Sequence, residues 1–392
     1  MTSIRKRTWS APDGSERQAW QVDYRDAAGK RRSKQFARKK DADAFATKAG
    51  YEVSQGTHTP DRESITVEQA GKNWLARGNR ENLEQSTLAM YEQHLRLHIN
   101  PFLGSKRLNQ LTKPMIEDYR DDLLDSGRSR AITRKILGSL SSLVKEAQRK
   151  GFVAQNVAED VTAKRSSRDK AKVVPPSKEH MRKLFAAAEK ARPMDLPLLM
   201  VLIFAGLRAS EVRALPWSNI DLKRGLIKID RRADSQNVIG SPKSAAAHRV
   251  IPIGPKVVQT LTKWKLRCPK SDGDLAFPSE KGTPIFHNNL AVFFQEKIQI
   301  AAGLSTPKMK DGEPVLDSQG SPVMEGLYSL HDFRHAAASL WIAQRVDAKR
   351  VSTWMGHSSI QVTFDTYGHL FAELEDDAQV VAALEAGVFG AG

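Results

Sequence analysis

Residues 330–370 read LHDFRHAAASLWIAQRVDAKRVSTWMGHSSIQVTFDTYGHL, and this stretch decides how the chain is interpreted. It holds four of the chain's ten histidines. His331 and Arg334 stand at positions i and i+3, so a helix would place them on one face. His357 follows at a predicted helix–turn junction, and Tyr367 follows ten residues later. Each residue alone is typical of a satisfied core position, but together they supply a cation, hydrogen-bond donors and a hydroxyl nucleophile.

The composition excludes several classes of protein. A length of 392 residues predicts two or three domains. The formal net charge of +16 favours a polyanionic partner, although charge that serves only solubility is an alternative. The single cysteine, Cys268, excludes a disulfide framework and a cysteine-based zinc site, and it fits a reducing cytoplasm. No apolar run approaches the roughly 18 residues of a membrane helix, and no secretory signal is expected.

Residues 1–58 have the pattern of a small β-rich module. Apolar and polar residues alternate around Trp20, and a turn sequence, DAAGK, separates this strand from RRSKQF. The pattern predicts two strands followed by a helix. Arg31, Arg32 and Lys34 are expected to contact DNA phosphates and base edges. A solvated charged hairpin is the simpler alternative.

Residues 65–161 have helical periodicity throughout and predict a domain of four helices. Pro101 is expected to end the second helix, and Gly127 to stop the third. The fourth helix has an apolar stripe on one face and basic residues on the other. On that basic face, Arg134 and Lys135 are expected to contact DNA.

A basic, serine-rich linker is predicted before a third region, residues 177–392, which mixes helices with a short β segment. Apolar residues alternate over 226–229 and again over 250–253, which predicts a small antiparallel sheet. Arg208 lies in an apolar context, FAGLRASEVRALPW, where an arginine is unexpected. A structural pair with Glu211 is one explanation, and a role at a site is the other.

Arg208, Arg334 and Tyr367 form a coherent set for work on a phosphodiester. Two guanidinium groups can clamp a phosphate through paired hydrogen bonds, and histidines can donate to the same oxygens. The charge of a phosphoryl-transfer transition state spreads over those oxygens, so fixed donors matter most there. A tyrosine hydroxyl can form a covalent intermediate. Its usual pKa is about 10, and the two arginines are expected to favour the phenolate.

This set resembles the tyrosine recombinase, or phage-integrase, family in both order and spacing. The family pattern is Arg, Lys, His-x-x-Arg, His or Trp, then Tyr. The resemblance implies a mainly α multidomain protein: an arm-type DNA-binding domain with a small three-stranded sheet at 1–58, a helical core-binding domain at 65–161 and a catalytic domain at 177–392. The matching positions are Arg208 in GLRASE, Lys243 in SPKSAAAHR, His331 and Arg334 in LHDFRH, His357 in MGHSS and Tyr367 in TYGHL.

The resemblance also implies a role for each matching residue. Tyr367 would attack a DNA phosphate, form a 3′-phosphotyrosyl link and release a 5′-hydroxyl. Lys243 would protonate that leaving oxygen, although Lys223 and Lys256 stay open as alternatives. The remaining residues would act around the phosphate: Arg208 and Arg334 holding its oxygens, His331 assisting proton transfer to and from the tyrosine, His357 donating a hydrogen bond, and Glu211 orienting Arg208. Neither a metal nor a cofactor is expected.

The implied partners are double-stranded DNA, at core and arm-type sites, and three further copies of the chain in a homotetramer. The implied reaction passes through a Holliday junction and integrates or excises a mobile element such as a prophage in the bacterial cytoplasm, near the nucleoid. An excisionase and a DNA-bending protein are possible partners, and no membrane is involved. Two alternatives stay open: a type IB topoisomerase-like enzyme and an inactive DNA-binding regulatory protein.

The C-terminal tail, LFAELEDDAQVVAALEAGVFGAG, differs in character from the rest of the chain. From Val351 onward there is no Lys or Arg, and six residues are Asp or Glu. The tail is expected to dock on a neighbouring protomer of the tetramer and to position or restrain Tyr367 there. A helix packed on its own domain is the alternative.

Overall fold

The computed structural model describes residues 2–26, 28–164, 174–310 and 312–372. The chain divides into two compact units, Met1–Lys170 and Ala171–Gly392. Most of the expected interdomain linker and nearly all of the acidic tail lie outside the described residues. Within the described ranges, no helix is both long and apolar enough to cross a bilayer.

The first unit begins with a three-stranded antiparallel sheet, as the family resemblance implies. Its strands pair in the order β1-β2-β3, and helix α1 packs against one face. Alternation along β2 directs Val22 toward the helix, where it is fully buried next to Ala42. The elements are β1 (Ser3–Ser10), β2 (Glu16–Arg25), β3 (Arg31–Phe36) and α1 (Lys39–Ser54).

The segment after α1 is held by hydrogen bonds on both of its sides. The ring of His58 lies between the Tyr24 hydroxyl and the Glu52 carboxylate, at 2.9 Å from each. The Asp61 carboxylate pairs with Lys34 at 2.6 Å and accepts from the Asn109 amide at 2.8 Å. This segment therefore fastens the sheet to the helical part of the same unit.

The helical domain of the first unit buries a single apolar core that includes Ile136 and Leu140. The predicted end at Pro101 is wrong, because the chain stays helical from Gln85 to Leu103. A wider π-helical turn, Leu95–Ile99, comes directly before the proline and accommodates a residue that lacks an amide hydrogen. The α-helices are α2 (Val67–Arg80), α3 (Gln85–His94), α4 (Asn100–Leu103), α5 (Lys113–Asp125) and α6 (Arg130–Arg149).

The second unit is built around α8, whose apolar residues 198–203 are all buried. The small antiparallel sheet has the order β4-β5-β8, and β6 and β7 form a hairpin beside it. The elements of this first half are α7 (Lys178–Glu189), α8 (Asp195–Phe204), α9 (Ala209–Val212), β4 (Ile220–Asp221), β5 (Leu226–Ile229), β6 (Arg232–Ala233), β7 (Ile239–Gly240), β8 (Arg249–Pro252) and α10 (Pro255–Lys265).

The second half of this unit carries two short helices, then two two-stranded antiparallel sheets, one of which lies between the strands of the other in sequence, and then three helices. The last three helices share a small apolar cluster, in which Val351 and Met355 pack against Tyr367. That cluster fixes the helix carrying the tyrosine. The elements are α11 (His287–Val292), α12 (Gln299–Ala301), β9 (Ser305–Pro307), β10 (Met309–Lys310), β11 (Glu313–Pro314), β12 (Met324–Gly326), α13 (Leu330–Ala343), α14 (Ala348–Met355) and α15 (Ile360–Ala372).

Two glycines of the helical domain should respond in opposite directions to the same substitution. Gly127 follows α5 with a φ of 82°, so Gly127→Ala should destabilise the protein by about 1–2 kcal/mol. Gly138 lies inside α6, where an added methyl group meets no atom within 4 Å, so Gly138→Ala should stabilise it by about 0.5–1 kcal/mol. Chemical denaturation of the two variants measures both changes, and a shift of the same sign in both would contradict this account.

Candidate active site

Arg208 is oriented by Glu211, its neighbour on the first turn of α9. The Nη1 group donates to Glu211 Oε1 at 2.7 Å, and the Arg208 backbone amide donates to Oε2 at 2.8 Å. The carboxylate is buried, whereas the Arg208 side chain is 34% exposed. Arg208 therefore has a fixed direction and still reaches solvent, so both explanations offered for it, a structural pair and a role at a site, fit the structure.

The same carboxylate has a second arginine partner that the sequence analysis missed. Arg249, the first residue of β8, makes two hydrogen bonds to Glu211, at 2.9 and 2.8 Å, and its side chain is 1% exposed. Hydrogen bonding and charge from Arg249, with further charge from Arg334 and Arg208, outweigh burial and hold the pKa of Glu211 at about 2. The alternation of β8 could have indicated that Arg249 is buried, since it takes an inward position together with Ile251.

Three arginines donate to three consecutive carbonyl groups at the C-terminal end of α14. Arg249 Nε donates to the Trp354 carbonyl at 2.7 Å, and Arg208 Nη2 donates to the Gly356 carbonyl at 2.9 Å. Arg334 Nη2 donates to the carbonyl between them, that of Met355. The last carbonyls of a helix have no partner within the helix and carry partial negative charge, so cations are stabilised there.

Arg334 is also buried, with 1% of the residue exposed. Its Nη1 group donates to the Gly206 carbonyl, in the loop before Arg208. Burial, and next the charge of Arg208, lower the pKa of Arg334 to about 9. It is therefore still charged at neutral pH, and Glu211 is the carboxylate that favours its charged form.

His357 and His331 lie in the positive field of these arginines. Burial, followed by the charges of Arg334 and Arg208, lowers the pKa of His357 to about 4. Its Nδ1 shares a hydrogen bond of 2.9 Å with the Thr363 hydroxyl. The pKa of His331 is lowered by burial and then by Arg334. Both rings are therefore neutral at pH 7, and each can donate one hydrogen bond.

Tyr367 is 1% exposed, and its hydroxyl lies 2.6 Å from Nδ1 of His335. Burial raises the pKa of Tyr367, and the opposing effect of Arg334 is smaller. Arg334 therefore favours the phenolate, as expected, but in the DNA-free chain the desolvation of the phenolate outweighs this attraction and the phenol keeps its proton. His335 was also missed, although it stands one helical turn after His331 on the same face.

Residues 177–373, half of the chain, match the family model described as "Phage integrase family". Residues 66–124 match the model for a phage integrase N-terminal SAM-like domain. The chain belongs to the phage integrase family. It is a tyrosine recombinase by type, as the spacing of Arg208, His331, Arg334, His357 and Tyr367 indicates.

Two kinds of similarity accompany this assignment. The chain is 28% identical to the ICEBs1 integrase of Bacillus subtilis (strain 168) over 285 residues, which cover 70% of this chain and 71% of that one. Its fold is similar to that of the Tn1549 transposon integrase in complex with a circular intermediate DNA, with a TM-score of 0.66, 17% identity and coverage of 82% and 99%. A lambda integrase tetramer bound to a Holliday junction gives a TM-score of 0.57 at 19% identity, with coverage of 90% and 95%.

The lysine expected in this family pattern lies outside the buried site. Lys243 is exposed in the loop that joins β7 to β8, and that loop leads into Arg249. The alternatives lie on other elements: Lys223 in the turn between β4 and β5, and Lys256 in the first turn of α10. Of these three lysines, only Lys243 lies on the segment that leads directly into Arg249 and its network of arginines.

The basic residues expected to contact DNA lie on different faces of the integrase. Arg31 is exposed on the open face of the N-terminal sheet. Arg32 and Lys34 alternate with other residues of β3, lie toward the α1 side and form ion pairs, Arg32 with Asp26 at 2.7 Å. On α6, Lys135 is exposed, and Arg134 donates to the Ala163 carbonyl at 3.2 Å.

Removal of the Glu211 charge should destabilise the second unit. Glu211→Gln leaves Arg249 buried without its counter-charge, which should cost about 3–5 kcal/mol of unfolding free energy at pH 7. The pKa of this carboxyl falls from 4.5 to about 2 on folding, so its stabilisation is complete above about pH 4.5 and is lost as the pH falls toward 2. The difference between wild type and variant, measured by denaturation, should therefore shrink over that range.

The matched control is Glu179→Gln, on α7 of the same unit. Glu179 is exposed and pairs with Lys183 across one helical turn, so its removal should change the stability little. Equal effects of the two substitutions at pH 7 would show that the buried network does not depend on the Glu211 charge.

Proposed function

We propose that this integrase cuts and rejoins DNA at specific sites through a 3′-phosphotyrosyl intermediate and thereby integrates and excises a mobile element. The observation that carries the proposal is the convergence of Arg208, Arg334, His357 and Tyr367 in one half-buried site with an excess of positive charge. Three arginines surround a single carboxylate there. Such a site is suited to bind an anion such as the phosphodiester of DNA.

The proposed reaction begins with the scissile phosphate between the two guanidinium groups. The Tyr367 oxygen attacks phosphorus, and the bond from phosphorus to the 5′-oxygen breaks. Lys243, from its exposed loop, protonates that leaving oxygen, a contribution typically worth 10²–10⁴-fold in rate. The energy of the broken bond is kept in the phosphotyrosine, so a 5′-hydroxyl from the partner strand can reverse the step without an external energy source.

The proposed assembly is a homotetramer on two DNA sites that exchanges strands through a Holliday junction in the bacterial cytoplasm. Support comes from the lambda integrase tetramer bound to a Holliday junction, which has a similar fold. The ICEBs1 integrase relative supports a mobile element as the natural substrate. An excisionase and a DNA-bending protein remain part of the proposal as accessory partners, and the acidic tail as a contact between protomers.

The open face of the N-terminal sheet is the proposed contact for arm-type sites. Arg5, Arg7 and Arg31 share this face, opposite α1, because they occupy paired or alternating positions of β1 and β3. Beneath them, Asp23 is 7% exposed and pairs with Arg5 at 3.2 Å. A face that fixes its arginines in this way suits a DNA groove. For core-type sites, the proposed contacts are Lys135 and Arg134 on α6.

Tyr367→Phe should abolish covalent attachment to DNA and leave binding intact, because only the nucleophilic oxygen is lost. The measurement is a denaturant-resistant protein–DNA adduct on a nicked suicide substrate that carries the attachment site, with DNA affinity as the control. Recombination between two sites on one plasmid should fall to background in the same variant. If wild type forms no adduct, or the Phe variant still recombines DNA, the catalytic proposal fails.

The same assay separates the recombinase from a type IB topoisomerase. A recombinase gives exchanged products only when two sites are present. Relaxation of a supercoiled plasmid that has no attachment site, without any exchange, would favour the topoisomerase.

Loss of two exposed arginines of the open face should weaken binding to arm-type DNA and make it less dependent on salt. Each phosphate contact removed lowers the slope of log affinity against log salt by roughly 1, so Arg7→Ala with Arg31→Ala should lower it by about 2. Fluorescence anisotropy at several salt concentrations measures the slope. The control is Lys40→Ala, an exposed lysine of α1 on the other side of the sheet, and an equal loss in that variant would contradict the assignment of the face.

A further inference from the structure

The Tyr367 hydroxyl has a specific hydrogen-bond partner, and it is not the histidine of the family pattern. The hydroxyl lies 2.6 Å from Nδ1 of His335, and the two rings meet at an angle of 64° with their centroids 5.6 Å apart. In the part of the chain that the structure describes, the ring of His331 contacts the His335 ring and has no hydrogen-bond partner. In the DNA-free chain, His335 is therefore the hydrogen-bond partner of the Tyr367 oxygen.

The packing around His335 fixes the position of its ring. His335 lies on α13, one turn after His331, and their rings meet edge to face with centroids 4.6 Å apart. Tyr367 faces it from α15 and is held in turn by the small apolar cluster of the last three helices. The charged and titratable groups that face it are His331, Asp332 and Arg334 on its own helix and the tyrosine on α15.

Burial, and then His331, lower the pKa of His335 to about 4. The ring is therefore neutral at pH 7, and in its Nε2–H tautomer the lone pair on Nδ1 accepts the phenolic hydrogen. Since burial also raises the pKa of Tyr367, the proton stays on the phenol until a phosphate is present. The resting pair is thus a protonated nucleophile in contact with an unprotonated base.

We propose that His335 is a catalytic residue of this integrase: its Nδ1 positions the Tyr367 oxygen and accepts the hydroxyl proton as that oxygen attacks the DNA phosphate. The proposal rests on the proposed function, since it concerns the base for the same nucleophile. It transfers to His335 the role in tyrosine proton transfer that the family resemblance assigns to His331. His331 then remains with the arginines on the phosphate side of the site.

The proposed step balances its atoms and charges. A lone pair of the Tyr367 oxygen forms the bond to phosphorus while its proton moves to Nδ1, so His335 becomes an imidazolium. The bond from phosphorus to the 5′-oxygen breaks, and that oxygen receives its proton from the separate general acid, proposed above as Lys243. In the reverse step, the incoming 5′-hydroxyl gives its proton back to Lys243 and attacks phosphorus. The bond from phosphorus to the tyrosine oxygen breaks, and that oxygen recovers its proton from His335.

The test uses the full-length integrase in single-turnover adduct formation on a suicide substrate with a bridging 5′-sulfur at the scissile bond. Sulfur leaves without protonation, so the general acid no longer limits the rate and the tyrosine step is isolated. His335→Asn keeps an oxygen acceptor at the Nδ1 position but is not basic. Its rate should fall by roughly 10²–10⁴-fold, the typical contribution of a general base. His335→Ala should fall at least as far.

Added imidazole should restore part of the rate of His335→Ala, and substituted imidazoles should restore it according to their basicity. A purely structural role of the ring would show no such dependence. The matched control is His180→Gln, which removes a histidine–tyrosine hydrogen bond of the same 2.6 Å length, between α7 and Tyr328 in the segment before α13. This control should form the adduct at the wild-type rate.

Two results would overturn the proposal while leaving the recombinase assignment intact. One is a His335→Asn rate within threefold of wild type. The other is a slow His335→Ala variant that binds DNA normally and that no imidazole accelerates. The absence of any adduct with wild type, in contrast, would contradict the proposed function itself.

Discussion

The attachment of three guanidinium groups to the C-terminal carbonyls of one short helix is the constraint on which the candidate site depends. The backbone of residues 354–356 collects Arg249, Arg334 and Arg208 from β8, α13 and the loop before α9. These elements are distant in sequence, and hydrogen bonds to the end of one helix bring their three guanidinium groups together. A single carboxylate, Glu211, balances part of that charge. The excess remains available for an anion, which is the electrostatic requirement of a phosphoryl-transfer site.

Tyr367, the proposed nucleophile, lies in the opposite kind of environment, one that is apolar rather than charged. The helix that carries Tyr367 packs into an apolar cluster, so the phenol loses its contact with water and keeps its proton. A buried positive field and a buried neutral phenol can coexist because His335 satisfies the hydroxyl without adding charge. In the DNA-free chain, the proposed nucleophile is therefore held in its protonated form, while Lys243 lies on an exposed loop. In the proposed reaction, the DNA phosphate supplies both the missing negative charge and the electrophile.

Much of the fold followed from local pattern. Alternation predicted the N-terminal sheet, and helical periodicity predicted the helical domain, because each signal needs only a neighbouring apolar surface. Local rules failed where a neighbour compensated. Pro101 did not end its helix, because the π-helical turn that precedes it accommodates a residue without an amide hydrogen-bond donor. Arg32 and Lys34 form ion pairs with acidic residues of the same unit, which no local pattern indicated, and their expected contact with DNA stays a prediction.

The sequence by itself determined the chemical inventory and its order: Arg208, His331, Arg334, His357 and Tyr367 could be named because their types and spacing are local information. Only the tertiary structure determined which of these residues are in contact. The contacts of Arg249 with Glu211, and of His335 with the tyrosine, join residues more than thirty positions apart. The protonation state of the phenol is likewise a tertiary property, because it follows from the water that packing removes, and no spacing of residues along the chain specifies that loss.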